Sequence, residues 1–172
     1  MQFAELIAKR YSLRYFDPTR EVPKALVDTL IDSAILAPTA HNRQAFHLYQ
    51  LQGEGLAFAL KDVTSSHFAA PLVLVLAERE EAAWRRRDGY SNSAVDIGIV
   101  GTHIMLMAEH LGLGSCWVGS FDAAKLSDLL SLEDGLHPVA MFPIGYPSDR
   151  ARPGPLHSQR KSKEELVTKI DF

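Results

Sequence analysis

Apolar residues recur at three- and four-residue spacing in four stretches of the chain: Phe3-Leu6-Ile7, the positions Leu26, Val27, Leu30, Ile31, Ala34 and Ile35, the segment from Ala94 to Leu111, and Leu126-Leu129-Leu130. That spacing predicts helices with one buried face. Pro23 stands where the second helix would take its first residue, and Asp122 where the fourth would take its cap. Between them lie segments expected to be strands: Phe46 to Leu51, Leu72 to Leu76, Ser115 to Val118 and Val139 to Ile144. Leu72-Val73-Leu74-Val75-Leu76 is apolar without alternation, as expected of a strand covered on both faces.

The 94–111 segment is the most apolar, yet Asp96, His103, Glu109 and His110 interrupt it. A membrane span needs about 20 mostly apolar residues with few charges, so the pattern predicts a central helix buried nearly all round. Ser93 and Asp96 form the S-x-x-D signal of a capped start, and Gly112 supplies the stop. Gly98 and Gly101 are small positions at helical spacing, expected to let another backbone approach. The pattern fits a dimer core and a monomer core equally.

After Gly145 the composition changes. Pro147, Pro153, Gly154 and Pro155 interrupt helix formation among basic residues. Residues 1–172 therefore read as a single domain in which 147–172 form a C-terminal arm. An arm without its own core needs a surface to lie on, and a partner subunit supplies one.

With 172 residues, 47% of them hydrophobic, the chain has enough for one substantial core. Eighteen Lys and Arg against 21 Asp and Glu give a net charge of −3, which argues against a dedicated nucleic-acid binder. The single Cys116 rules out an intrachain disulfide framework and fits a reducing, cytoplasmic setting. Met-Gln-Phe-Ala-Glu lacks the basic-then-apolar pattern of a secretory signal.

The candidate chemistry concentrates in the first quarter. Arg10, Ser12 and Arg14 alternate, so in an extended segment they leave one face. Two planar guanidinium forks and a hydroxyl suit a phosphate dianion. The second stretch, Ala37-Pro38-Thr39-Ala40-His41-Asn42-Arg43-Gln44, ends a helix and offers amides for the polar edge of a flat heterocycle. Together they point to a phosphorylated ring cofactor. Dinucleotide, P-loop and nucleophile-elbow glycine motifs are absent, and the seven histidines form neither H-x-H nor H-E-x-x-H. His103 and His110 share a helical face without further ligands, and Cys116 reads as a buried, inert thiol.

These motifs, in this order, resemble the FMN-dependent nitroreductase family, whose members open with R-x-S-x-R-x-F and continue with P-S-x-x-N-x-Q-P-W. Here the first motif is intact through Phe16. The second keeps Pro38, Asn42 and Gln44, with Thr39 and Ala40 at small positions and Ala45-Phe46 in place of Pro-Trp. The likeness extends through Gly112-Leu113-Gly114-Ser115-Cys116-Trp117-Val118-Gly119, Pro143 to Pro147 and a late Arg160-Lys161-Ser162. It marks the chain as a short member. The resemblance implies an α+β fold with a mixed sheet flanked by helices, assembled as an intertwined homodimer with FMN at the subunit interface.

Carried over by position, Arg10, Ser12 and Arg160 resemble the phosphate contacts, and Arg14 the basic residue at the flavin pyrimidine edge. Pro38, Thr39 and Ala40 match a segment that covers the ring from the other subunit, and Asn42 and Gln44 match amides near the flavin or its ribityl chain. Val118, Gly119 and Ser120 match backbone beside flavin N5. Longer relatives carry an insertion and further FMN contacts before the buried strand, where this chain has only Ser65, Ser66 and His67. The remaining lid candidate, Glu78 to Asn92, contains Trp84-Arg85-Arg86-Arg87, a run that fits either a solvated loop or NADPH-phosphate recognition.

The activity so implied is NAD(P)H-dependent reduction of nitroaromatic or quinone-type acceptors, by ping-pong hydride transfer through flavin N5, with NADH or NADPH as reductant. A specialised flavin dehydrogenase or dehalogenase and a non-catalytic flavin-binding dimer remain as alternatives. No general acid or base is expected from the protein, because a flavin carries such chemistry itself.

Overall fold

A computed structural model describes residues 2–172. Its helices are α1 (Phe3–Lys9), α2 (Lys24–Ile35), α3 (Leu56–Ala59), α4 (Ser93–His110), α5 (Ala123–Leu130) and α6 (Lys163–Leu166). Its strands are β1 (Phe46–Gln52), β2 (Leu72–Glu78), β3 (Gly114–Ser115) and β4 (His137–Gly145). They form one sheet in the order β1-β2-β4-β3, every adjacent pair antiparallel. The parallel contribution is a single bridge between Ser12 and Ser115. The α+β architecture expected from the sequence is the one observed.

β2 explains the layering. Leu72, Leu74 and Leu76 face Val27, Leu30 and Ala34 of α2 and Ile97, Val100 and Ile104 of α4. Val73 and Val75 face the opposite way, toward Leu56, Leu60, Leu126 and Met141. All five are fully buried, each contributing about 1.5–3 kcal/mol through loss of apolar surface. The two helical layers therefore meet the sheet from opposite sides.

β3 is shorter than the strand expected over Ser115 to Val118. The Cys116 N–H donates to the Pro143 carbonyl at 3.2 Å. Pro143 has no N–H to return the bond, so the ladder lapses there. It resumes at Val118, whose N–H and carbonyl both pair with Met141 (2.9 and 3.0 Å).

The central helix matches its expected span but not its expected start. Its N-cap is Asn92, so the helix begins one residue earlier than the S-x-x-D signal implies, whereas α2 begins one residue later, with Pro23 as its cap. Ser93 Oγ instead donates to Glu78, and Asp96 reaches another segment. At the C-terminus, Gly112 takes a left-handed φ of +75°, and the Gly112 and Leu113 N–H groups donate to Glu109 and Ala108. This is the double closure in which glycine avoids a Cβ clash. Gly101 does not admit a backbone: a Cβ there would lie 2.7 Å from Phe142 Cζ and against Trp117. Gly98 faces open space, in a shallow groove with Val95, Ile99, Thr102, His103 and Leu106.

The arm begins as a short continuation of the sheet. The Asp17 N–H donates to the Tyr146 carbonyl, Phe16 bridges Pro147, and the Ser148 N–H donates to the Tyr15 carbonyl. Beyond it, Leu156, Leu166, Val167, Ile170 and Phe172 are exposed. No helix among the described residues is long and apolar enough to cross a membrane.

Candidate functional site

The segment after α1 is extended because it is stitched to the sheet. The Leu13 N–H donates to the Ser115 carbonyl at 3.0 Å, and the Leu13 side chain, fully buried, lies over Gly114. With Leu13 turned inward, its neighbours Ser12 and Arg14 face outward. Tyr11 extends the same wall. Its hydroxyl pKa is raised, first by burial and then by the nearby Glu109 carboxylate, with Lys9 opposing.

A cavity of about 290 Å³ opens on this face, lined by Arg10, Tyr11, Ser12, Arg14 and the arm residues Gly154, Pro155, Leu156, His157 and Arg160. Three arginines thus meet in one concavity whose lining contains no carboxylate. Cations gathered in a recess without a counter-charge form a seat for an anion, and guanidinium forks with a hydroxyl match phosphate oxygens. The donor set therefore fits a phosphorylated cofactor such as FMN. Tyr11 and His157 hold the arm to the strand edge-on, with ring centroids 6.2 Å apart. Arg160 Nη1 donates to the Gln159 and Leu156 carbonyls at 2.6 and 3.3 Å. Arg160 is among the positions that the family resemblance implies; Tyr11 and His157 carry no motif signal, because an edge-on aromatic contact leaves none.

Cys116 lies behind this wall. Burial pushes its thiol pKa up, against opposing effects of Arg14, Ser12 and Arg10. The thiol stays protonated near neutral pH, so it offers no nucleophile.

The other expected contacts lie elsewhere on the chain. None of Pro38, Thr39, Ala40, Asn42 and Gln44 lines the arginine cavity. Residues 40–42 form a 3-10 turn, and His41, Asn42 and Gln44 all have left-handed φ values near +50° (53°, 51° and 49°). Thr39 Oγ1 accepts the Gln44 N–H, Asn42 Oδ1 accepts Gln44 Nε2, and Asp96 Oδ1 accepts the Ala40 N–H, each at 3.0 Å. The sequence alone marks Asp96 only as part of a helix-start signal.

Val118 is buried and its backbone is committed to Met141, whereas Gly119 and Ser120 are exposed. The Ser120 carbonyl accepts the Thr64 hydroxyl at 2.7 Å, and Thr64 Oγ1 in turn accepts the Ser66 N–H. His67 Nδ1 accepts the Ala69 N–H. His103 Nδ1 lies 3.2 Å from the Ser33 carbonyl, and among the described residues no three His, Cys, Asp or Glu side chains gather as metal ligands.

The basic run folds as a small hairpin. Arg85 bridges Ser91, the Arg86 N–H donates to the Tyr90 carbonyl, and the Gly89 N–H donates to Arg86. Arg85 pairs with Glu80 at 2.8 Å and Arg86 with Asp88 at 2.7 Å. These pairs occupy Arg85 and Arg86, which weakens the case for anion recognition by those two residues. Trp84 stacks on His41, with centroids 5.0 Å and planes 19° apart.

Comparison with known proteins bears on the family and the fold. The nitroreductase family model matches residues 7–66 and 60–146. A nitroreductase family protein of Clostridium difficile 630 superposes with a TM-score of 0.90 at 32% identity, over 100% of both chains. A Methanothermobacter thermautotrophicus protein named NADH dehydrogenase/NAD(P)H nitroreductase is 25% identical over 87% of this chain and 79% of its own. A solved oxidoreductase containing FMN shares the fold, with a TM-score of 0.73 at 22% identity over 84% of this chain and 76% of that one. By motif order, architecture and family match alike, the chain belongs to the nitroreductase family.

Proposed function

We propose that this protein is an FMN-dependent NAD(P)H oxidoreductase that reduces nitroaromatic or quinone-type acceptors. The observation that carries the reading is the carboxylate-free recess of Arg10, Ser12, Arg14 and Arg160, within a chain of this family. Arg10, Ser12 and Arg160 would hold the phosphate, and Arg14 the pyrimidine edge. When bound, FMN supplies a carrier that takes up two electrons from one partner and gives them to another.

The protein's part is to bind and orient. Arg14 would set a cation near the pyrimidine edge, where reduction adds negative charge, and would so favour the reduced form. Gly119 and Ser120 offer exposed small-residue backbone for close approach to a ring. Pro38, Thr39, Ala40, Asn42 and Gln44 stand away from the recess of their own chain, which suits a loop that serves the site of a second subunit. A homodimer would also cover the groove of α4 and the exposed apolar residues of the arm, residues 147–172 of a single domain. NADH or NADPH would be the reductant, a reading that the names of two relatives support.

Steady-state kinetics test the reading. FMN-loaded protein should oxidise NADH or NADPH with menadione or nitrofurazone, giving parallel double-reciprocal lines as donor and acceptor take turns at one site. Intersecting lines would rule out alternating occupancy, and absence of turnover with either nicotinamide would overturn the activity.

A further inference from the structure

We propose that Asp96 is a positioning residue that locks residues 39–44 in their strained conformation and thereby shapes the ring-covering part of the site. What the segment covers rests on the cofactor reading above; the locking itself does not.

The conformation needs a lock. His41, Asn42 and Gln44 hold left-handed φ values that L-residues adopt at a steric cost. Three such residues among four consecutive positions persist only where the surroundings over-determine them. The bonds from Thr39 and Asn42 to Gln44 lie inside the segment, and cannot tie it to the rest of the fold. Among the hydrogen bonds of the described residues, the one that leaves the segment runs from the Ala40 N–H to Asp96 Oδ1. It joins residues 56 positions apart, fastening the turn to the first turn of the central helix. The negative carboxylate is well placed there, near the positive end of the helix dipole.

Fold stability alone does not explain this carboxylate. Asp96 is 3% exposed, and its Oδ2 has no hydrogen-bond partner. A half-satisfied buried carboxylate is a poorer core residue than an apolar one of similar size. The oxygen that is satisfied, Oδ1, is spent on the Ala40 bond, a charge-assisted contact stronger than a neutral one. The His41–Trp84 stack then adds a contact between the locked segment and the 84–91 hairpin.

Hydrogen–deuterium exchange of the full chain tests the proposal, with and without FMN. In Asp96→Ala the hydrogen-bonded amides of Ala40, Asn42, Arg43 and Gln44 should exchange at least about tenfold faster, while exchange elsewhere and the melting temperature stay near wild type. Asp96→Asn keeps an oxygen for the Ala40 N–H and should restore most of the protection. Unchanged exchange in 39–44, a uniform rise along the chain, or Asn behaving like Ala would each overturn the lock. Should Asp96→Ala fail to fold, Ala40→Pro deletes the donor at the start of the turn, and faster exchange at Asn42, Arg43 and Gln44 is then expected; unchanged exchange there overturns it. FMN affinity separates the two readings. A fall of several-fold in Asp96→Ala supports the lock and the cover together, whereas loosened exchange with unchanged FMN affinity supports the lock and contradicts the cover.

Discussion

Leu13 lies directly over Gly114: a Cβ on that glycine would stand 2.8 Å from Leu13 Cβ and closer still to its Cδ2. Leu13 is fully buried between two residues that line the arginine recess, Ser12 and Arg14. Glycine at 114 is thus what lets the phosphate-type motif lie flat against the sheet.

Gly114→Ala should therefore cost about 1–3 kcal/mol of stability, the usual range for overpacking a close contact, and should weaken FMN binding by shifting the strand. Thermal melting and a fluorescence titration with FMN measure the two effects. Wild-type behaviour in both would show that the strand adapts without moving the arginines.

Removing an arginine from the recess should act on the cofactor and spare the fold. A charge-assisted hydrogen bond contributes about 1.5–3 kcal/mol, so Arg10→Ala or Arg160→Ala should lose roughly ten- to hundredfold in FMN affinity with little change in melting temperature. Arg14→Ala should instead lower the flavin reduction potential more than it lowers affinity. Unaltered affinity in both phosphate-site variants would remove the recess from the site.

The groove of α4 with Val95, Gly98, Ile99 and Leu106 is expected to meet a second copy of the chain. Leu106→Glu places a charge there without entering the core. Light scattering at low micromolar concentration should find a dimer for the wild type and a monomer for the variant. Truncation before Ser148 should weaken dimer and flavin retention together, since subunit and ligand binding are linked to folding. A flavin-loaded wild-type monomer would contradict the assembly.

How much was legible in the sequence follows from the physics of each element. The uninterrupted apolar run 72–76 is read as a strand covered on both faces, and Gly112 as a helix stop, and both readings hold because both signals are local. Asp122 likewise caps α5, accepting the Lys125 N–H. The Ser115–Val118 strand was overread because Pro143 breaks the ladder from the opposite strand, a pairing that no window around Ser115 reveals. Asp96 was misread for a related reason: its bond to Ala40 spans 56 residues, while its spacing from Ser93 imitates a cap. Gly101 looked like a site for backbone approach, but the atoms it admits belong to Trp117 and Phe142, side chains from other elements. At the candidate site, Arg10, Ser12 and Arg14 were legible through their alternation and Arg160 through family resemblance. His157 and Tyr11 were not, since an edge-on contact between a strand and an irregular arm leaves no periodic trace.

The absorption spectrum of the purified protein, before and after anaerobic addition of NADH or NADPH, tests the central proposal most directly. The arginine recess and the family membership predict the visible absorption of an oxidised flavin, bleached by at least one nicotinamide. Protein that stays colourless after incubation with FMN and desalting, or bound flavin that neither nicotinamide bleaches, would contradict it.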